Sequence, residues 1–246
     1  MRIKTLLCLL LVIGLSFRVM PIARADGEVQ TGGGQNGVVN YRHTPAELAH
    51  LAAKDKLARA HVKNLRVGAA SSQYLNVGPA ELYREPNDYD HRNYCGPSAT
   101  RVAIRARTTN VPGLETVAVA EHLTKTNGVY IWKIADYINK TLNMGWYEYA
   151  ASNNSGQFSS WAQLDVYYNY ALITGVVTNG MPGWITTANH IVTVYGYNTA
   201  NGTSISYVDT GSEIAGHKYS KGGRYFNTKD LATFYQWVFY YNQQIW

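Results

Sequence analysis

The spacing of hydrophobic residues changes along the chain, from helical periodicity in the first part to alternation in the second. Recurrence every three to four residues predicts helices over 98–107, 115–124, 130–140 and 159–173. Short apolar segments between glycine and asparagine turns predict strands over 175–178, 190–197, 203–209 and near 224–226. Helices followed by mostly antiparallel strands indicate an α+β domain.

Further elements are predicted at both ends of this core. Thr44-Pro45-Ala46-Glu47 is typical of a capping-box helix start, and the basic residues of that helix, including Lys54, are expected in solvent. Residues 74–79 are predicted as a short strand entering a turn. Thr228 is predicted to cap a short helix through Gln236, with a last strand over 237–241.

The first 25 residues have the order of a secretory signal peptide. Arg2 and Lys4 precede an apolar segment over 6–17, and Ala23-Arg24-Ala25 supplies small residues at a cleavage site. The apolar segment is shorter than the roughly 20 residues of a membrane span. We expect cleavage after Ala25, secretion and no stable membrane insertion afterwards; an uncleaved N-terminal anchor is the alternative.

Removing this segment changes both the charge and the cysteine count. The 246-residue chain carries a formal net charge of +6, but four bases and no acids lie in residues 1–25, so 18 bases face 16 acids in the remainder. That near balance argues against a nucleic-acid partner. One of the two cysteines, Cys8, lies in the predicted signal, which leaves Cys95 in the mature chain.

The mature chain divides into two parts. Residues 26–72 comprise a flexible glycine-rich leader and the amphipathic helix, and are a candidate pro-region. Residues 73–246 form the predicted folded domain. The spacing of histidine, cysteine and acidic residues indicates no metal site, and the chain has no phosphate-binding glycine loop. We therefore expect no cofactor.

Cys95 is the most informative candidate for chemistry. It stands in Asn93-Tyr94-Cys95-Gly96-Pro97, just before the predicted helix from Ser98, where a helix N-terminus favours the thiolate. We expect the glycine and proline to form a tight entry that exposes the thiol. The alternative is a buried structural thiol.

A thiolate nucleophile needs a base, and His190 is the best placed histidine. It lies at the start of the apolar strand predicted over 190–197, whereas His43, His50, His61 and His91 are expected on the surface; His122 and His217 are weaker candidates.

Asp209, at the end of the next predicted strand, could orient His190. The two face each other directly if the connection is centred between Thr199 and Ala200. A tight turn at Asn201-Gly202 would instead place Asp209 opposite Val194, too far for a hydrogen bond. Contact thus predicts an open or bulged connection over 198–202, and an ordinary strand-ending turn at Asp209 is the alternative.

Three sequence blocks together resemble a known family. Cys-Gly-Pro-Ser-Ala at 95–99, Asn-His-Ile-Val-Thr-Val-Tyr-Gly-Tyr at 189–197 and Val-Asp-Thr at 208–210 are similar to the signature blocks of papain-like cysteine peptidases of the bacteriocin-processing, double-glycine-leader type. The resemblance covers roughly residues 74–240. It implies a papain-like fold with Cys95 as nucleophile, His190 as general base and acid, and Asp209 orienting His190.

One position departs from the family pattern. Such enzymes carry a glutamine about six residues before the cysteine as an oxyanion donor, and here that position is Tyr89. Asn87 is the preferred substitute and Asn93 the second choice. Loss of one oxyanion donor lowers rates by roughly 100- to 1000-fold, so a weakened enzyme is one expectation.

The sequence therefore predicts a secreted cysteine peptidase acting on a peptide or protein substrate. A cell-wall peptide amidase or acyl transferase could use the same three residues. A non-catalytic binding module, using the aromatic residues that make up 13% of the chain, is the alternative outside enzymes.

Overall fold

A computed structural model describes residues 41–65, 71–79, 83–86, 88–91, 93–124, 128–185, 187–211, 226–241 and 243–246. The predicted signal peptide and most of the glycine-rich leader lie outside these ranges. The helices are α1 Pro45–Leu65, α2 Cys95–Arg105, α3 Leu114–Ala120, α4 Ile131–Leu142, α5 Ser155–Tyr167 and α6 Leu231–Tyr241. The strands are β1 Ser72–Tyr74, β2 Tyr149–Ala150, β3 Leu172–Val177, β4 Asn189–Asn198, β5 Ser204–Val208, β6 Phe226–Asp230 and β7 Gln244–Ile245.

The strands pair into one antiparallel sheet, which confirms the predicted α+β class. The order is β2-β7-β3-β4-β5-β6, and β1 also pairs with β4. Strand β4 is central because β3 and β1 share one of its edges and β5 occupies the other. Helices α2 and α5 pack against β4, and α6 packs against β3. Strands β3, β4 and β5 bury most of their side chains, as expected where helices cover the sheet.

Helix boundaries differ from the predictions where apolar residues continue past a backbone signal. Helix α5 ends at Tyr167 because Asn169 adopts a left-handed φ of 63°. The apolar residues that follow, Ala171 to Ile173, were predicted to continue the helix but lead into β3. Such short apolar segments fit a buried strand and a buried helix equally well by spacing alone.

A helix is present near the predicted 228–236, but its bounds and the predicted strand over 237–241 were wrong. Thr228 lies in β6 and pairs with Ser206 in the sheet. The helix begins directly after this strand, and the Asp230 side chain accepts the Thr233 N–H at 2.8 Å. The predicted strand over 237–241 is the second half of α6. Phe234, Trp237 and Val238 recur at helical spacing and are buried, so their packing overrides the strand preference of aromatic residues.

Helix α1 starts as predicted. The Glu47 N–H donates to Thr44 Oγ1 at 3.2 Å, and the Thr44 N–H donates to the Glu47 side chain, which completes the capping box. The helix then packs along α5, where Asp55 accepts hydrogen bonds from the indole of Trp161 at 2.7 Å and the amide of Gln157 at 2.9 Å. The helix is thus tied to the domain by polar contacts.

Lys54 on α1 is buried, contrary to the prediction of a solvated basic face. Its side chain is 3% exposed, lies between the rings of Trp146 and Trp246, and donates to the Trp146 carbonyl oxygen at 2.9 Å. The ammonium is 3.4 Å from the buried carboxylate of Asp165. Burial lowers the pKa of Lys54 to about 8, although Asp165 opposes that shift. Ring faces and a carboxylate replace the water that this cation loses.

Within the described ranges, none of the helices is both long and apolar enough to cross a membrane.

Candidate active site

Cys95 is the first residue of α2, so the helix begins three residues earlier than predicted. Its first intrahelical bond runs from the Ser98 N–H to the Tyr94 carbonyl oxygen at 3.0 Å. Backbone N–H groups in the first turn of a helix point away from the helix body, and the helix dipole adds partial positive charge there. The thiol therefore lies where an anion is favoured.

The segment around Cys95 is closely packed, and the expectation of an exposed thiol was wrong. Cys95 is 4% exposed. A Cβ atom at Gly96 would lie 2.4 Å from Val129 Cγ2, so glycine is needed for the close approach of α2 to this neighbour. Gly96 thus allows tight packing of the helix start and does not open the thiol to solvent.

The sheet brings His190, at the start of β4, and Asp209, just after β5, to the same end of two adjacent strands. His190 is the second residue of β4, opposite Val176 of β3, and Asp209 directly follows β5. Val208 pairs with Thr193, so one further step along the strand reaches Val192, two residues from His190. Residues two apart on a strand share a face and lie within reach of a diagonal side-chain contact.

In the observed register Asp209 lies opposite Val192, midway between His190 and Val194, the two positions considered from the sequence. A bulge at Tyr195 shifts the pairing between Val194 and Gly196, and the connection over 199–203 is open rather than a two-residue turn. The shift that was expected in the connection thus occurs partly inside β4. Because the contact is diagonal, the direct pairing of His190 with Asp209 is not required.

The side chains of His190 and Asp209 form a hydrogen bond of 2.8 Å between Nε2 and Oδ1. Both residues are buried, at 2% and 1% exposure. The Asp209 carboxylate accepts two further bonds, from the Gly211 N–H at 3.0 Å and from the indole N–H of Trp184 at 2.9 Å. The Gly211 bond is the predicted strand-ending turn, so turn and imidazole share one carboxylate.

Cys95 lies beside this pair, because its side chain is one of the groups that raise the pKa of the His190 imidazole. Since Asp209 occupies Nε2, the ring leaves Nδ1 for the thiol. Burial alone would lower the pKa of His190, but the charge and hydrogen bond of Asp209, with the contacts to Cys95 and Glu85, raise that pKa well above its usual value. The surroundings of His190 therefore favour the imidazolium beside Cys95.

Glu85 is a buried carboxyl group beside this trio that the sequence did not single out. Its Oε1 lies 4.0 Å from His190 Nδ1 and accepts a hydrogen bond from Thr210 Oγ1 at 3.3 Å. The Glu85 N–H also donates to the Thr210 carbonyl oxygen at 2.9 Å, which fixes the segment to the residue after Asp209. Burial raises the pKa of Glu85 to about 7; the Asp209 charge adds to that shift and the His190 charge opposes it.

The other predicted candidates lie elsewhere or outside the described residues. His50 contacts Glu148, His91 contacts Asp88 and Glu115, His61 packs against Tyr167, and His122 lies two residues after α3 with a φ of 56°. Asn87 and His217 are not among the described residues, and Asn93 is buried close before Cys95. The described ranges contain no group of three or more His, Cys, Asp or Glu side chains that could hold a metal ion.

Glu85 does not lie at the spacing of about six residues before the cysteine that is expected of the family's glutamine. That residue lies ten positions before Cys95, and its carboxyl differs from a glutamine amide by a single group. Trp184 was also missed, since nothing in the local pattern of Pro182-Gly183-Trp184 indicates a contact with a residue 25 positions later.

Comparisons with known proteins give a structural likeness but no sequence match. No protein-family model matches the chain, and no curated protein matches its sequence. Among solved structures, the chain is similar to the recombinant stem bromelain precursor at 10% sequence identity, over 84% of this chain and 93% of that chain, with a TM-score of 0.43. At that TM-score the likeness carries no weight for the site, which rests on the contacts of this chain's own residues.

Proposed function

We propose that the chain is a secreted cysteine peptidase of papain-like fold, related to the bacteriocin-processing type, with Cys95 as nucleophile, His190 as general base and acid, and Asp209 orienting His190. The observation that carries the proposal is the arrangement of His190 between the Asp209 carboxylate at 2.8 Å and the Cys95 side chain at the start of α2. A nucleophile, its base and an orienting carboxylate in contact are the parts that acyl transfer by a thiol requires.

The reaction follows from these positions. The Cys95 thiolate attacks the peptide carbonyl carbon, and the carbonyl electron pair moves to oxygen, giving a tetrahedral oxyanion. His190 transfers its proton to the leaving amine as the C–N bond breaks, and the acyl group remains on sulfur as a thioester. Water then attacks the thioester while His190 accepts its proton, so that the acid product and the thiol are released.

The electrostatics support the starting state of this sequence. Asp209 holds one ring nitrogen and favours a charged imidazole, which in turn stabilises a thiolate on the other side of the ring. The start of α2 adds the partial positive charge of a helix terminus. The Cys95 N–H in that first turn is the natural backbone donor to the oxyanion.

Secretion and the cleaved signal peptide belong to the proposal and rest on the order of residues 1–25. So does a pro-region role for residues 26–72. Amidase or acyl-transfer chemistry would use the same three residues, and the products of the reaction separate these possibilities.

A peptide-cleavage assay tests the proposed function. The purified chain is incubated with a mixed-sequence peptide library, and new termini are mapped by mass spectrometry. We expect cleavage by the unaltered chain and no cleavage by Cys95→Ala, with thermal unfolding of the variant showing that it is folded. Identical peptide patterns with the chain and with Cys95→Ala would overturn the peptidase proposal and favour a binding module.

A further inference from the structure

Helix α1 lies within the candidate pro-region, yet one of its faces is buried in the domain. Lys54 and Ala58 stand about one helical turn apart on that face, and both are buried. Ala58 belongs to the same cluster of buried apolar residues as Trp161 and Trp246, whose rings stack with centroids 4.2 Å apart. The ammonium of Lys54 lies 4.5 Å from the centroid of the Trp246 ring. The helix is therefore part of the packed core.

The surroundings of Asp165 depend on this helix. The carboxylate, on α5, is completely buried, and its Oδ1 lies 3.4 Å from Lys54 Nζ. Oδ1 also accepts the indole N–H of Trp146, which carries no charge, and Oδ2 has no hydrogen-bond partner. Removal of one member of a buried ion pair is strongly destabilising, because the charge of the other is left without compensation. A domain without α1 would lose this cation and open the Trp146 and Trp246 rings to water.

Further contacts distribute the attachment along the helix. On its N-terminal side, His50 Nδ1 lies 2.6 Å from Glu148 Oε1. On its C-terminal side, the rings of His61 and Tyr167 lie 4.5 Å apart between centroids. Between them, Asp55 accepts the indole and amide hydrogen bonds from α5 described above. Residues 50–61 span about three helical turns, so the attachment does not depend on one side chain.

The segment before the helix is also attached. The Tyr41 ring stacks on Trp132 with centroids 5.3 Å apart and meets the Tyr149 ring edge-on at 5.4 Å. The Tyr41 hydroxyl donates to the Glu47 carboxylate in the first turn of α1. The attachment to the domain therefore begins at residue 41.

The contacts of α1 lie apart from the proposed catalytic residues. Its partners are on α5, in residues 146–148 and at Trp246. Cys95 begins α2, His190 is in β4 and Asp209 follows β5. A pro-segment that inhibits by covering a nucleophile has to contact the site. Helix α1 is instead held where it need not leave for a substrate to reach Cys95.

We propose that α1 is a permanent part of the mature chain, held by the buried contact of Lys54 with Asp165, and that any pro-region that is removed ends before Tyr41. The inference narrows the pro-region of the proposed function from residues 26–72 to residues 26–40. It does not depend on catalysis, because the attachment of α1 can be measured without a substrate. A cut in the chain after α1 should leave the helix bound to the domain without a covalent link.

Severing the chain between α1 and β1 tests this attachment. The recognition sequence of a site-specific protease is inserted between residues 68 and 69, in a chain that carries Cys95→Ala to prevent self-cleavage. After the cut, size-exclusion chromatography at rising urea concentration separates free from bound fragment, and circular dichroism follows unfolding of the domain. We expect the fragment to co-elute with the domain in equal amount until the domain itself unfolds. Release of the fragment from a domain that stays folded would overturn the proposal.

Lys54→Met and Lys56→Met are the matched variants, because both lysines lie on α1 and Lys56 is exposed. Truncating one partner of a buried charge pair at an interface weakens binding by roughly 30-fold or more. We expect that loss of fragment affinity in Lys54→Met and none in Lys56→Met, measured by dilution of the cut chain. Addition of Asp165→Asn to Lys54→Met should restore much of the affinity, which distinguishes a lost ion pair from misfolding. Equal affinity in the two lysine variants would overturn the role of Lys54.

The N-terminus of the mature chain tests the boundary. The full chain, with its predicted signal peptide, is expressed in a secreting host, and the N-terminus of the recovered protein is determined by mass spectrometry. We expect it at or before Tyr41, and an N-terminus after Tyr41 would overturn the proposal. Absence of peptidase activity would overturn the proposed function and leave this inference standing, since none of these measurements uses a substrate.

Discussion

The indole N–H of Trp184 donates to Oδ2 of Asp209 at 2.9 Å. Oδ1 of the same carboxylate accepts the His190 hydrogen bond, and the Trp184 ring lies 4.7 Å from the imidazole between ring centroids. Trp184 comes from the loop before β4, so this loop, β4 and the end of β5 meet at one carboxylate. The tryptophan thereby fixes the carboxylate and covers one side of the histidine.

Trp184→Phe should slow Cys95 acylation by about tenfold, or about 1.4 kcal/mol, because the Asp209 carboxylate loses one of its donors and can rotate away from His190. The rate of p-nitrophenyl acetate turnover measures the change. Trp161→Phe is the matched control, since Trp161 also donates its indole N–H to a carboxylate, that of Asp55 on α1. A loss of rate as large in Trp161→Phe would show that the effect is general destabilisation.

Asp209→Asn should lower the pKa of His190. The carboxylate charge and hydrogen bond are the main influences that raise this pKa against burial, and an amide supplies no charge. His190 would then lose its proton at a lower pH, and the population of the thiolate–imidazolium pair would shrink from the alkaline side. Histidine-ring NMR across a pH series measures the titration. An unchanged midpoint for His190 would contradict this account of its environment.

Glu85→Gln should stabilise the fold above neutral pH. Glu85 keeps its proton to about pH 7 in the folded chain but loses it near its ordinary value of 4.5 when unfolded. The folded state therefore binds more protons between these values, and its stability falls as pH rises through them. Glutamine does not titrate, so the variant should gain roughly 3 kcal/mol over the unaltered chain above pH 7 and lose that advantage below about pH 4.5.

Urea unfolding across a pH series measures this difference. A gain for Glu85→Gln that is the same at acid and alkaline pH would contradict a buried, titrating Glu85.

Lys54→Met should cost roughly 3 to 5 kcal/mol of unfolding free energy, because it leaves Asp165 buried without its cation. Asp165 also accepts the Trp146 indole N–H at 2.8 Å, a bond that Asn can keep. The double variant Lys54→Met/Asp165→Asn should therefore recover most of the loss. Urea unfolding of the single and double variants forms a double-mutant cycle. Additive losses would show that the two residues do not act as a pair.

The Lys54 contact also bears on the proposed pro-region. Lys54 lies on α1, within residues 26–72, and its partner Asp165 lies on α5. If residues 26–72 were removed during maturation, Asp165 would lose its cation and the Trp146 and Trp246 faces their packing partner. Loss of the segment would therefore carry a cost in stability comparable to that of Lys54→Met.

Local signals predicted much of the fold. The capping box of α1, the existence of α2 to α5 and the strands β4 and β5 follow from residue spacing and turn residues near in sequence. His190 and Asp209 could be placed on one face of the sheet because side chains alternate along a strand and both registers considered give the two residues an even offset. The α+β class follows from the order of these elements.

Long-range packing accounts for the parts that the sequence did not predict. The bulge at Tyr195 sets the register, and no turn residue marks it. The burial of Lys54 depends on Trp146 and Trp246, about 90 and 190 positions away. Glu85 and Trp184 join the site only because the folded chain brings their loops to the end of β5. Charged and aromatic residues in loops have no periodicity from which such contacts could be read.

The central claim is that Cys95 forms a thiolate paired with His190, and its alkylation rate across pH tests that claim most directly. The rate of iodoacetamide labelling is followed on the Cys95-containing peptide by mass spectrometry, for the unaltered chain and for His190→Gln. We predict faster labelling of the unaltered chain than of His190→Gln at acid pH, because an imidazolium beside Cys95 stabilises the reactive thiolate. Equal labelling rates in the two proteins across the pH series would contradict the account.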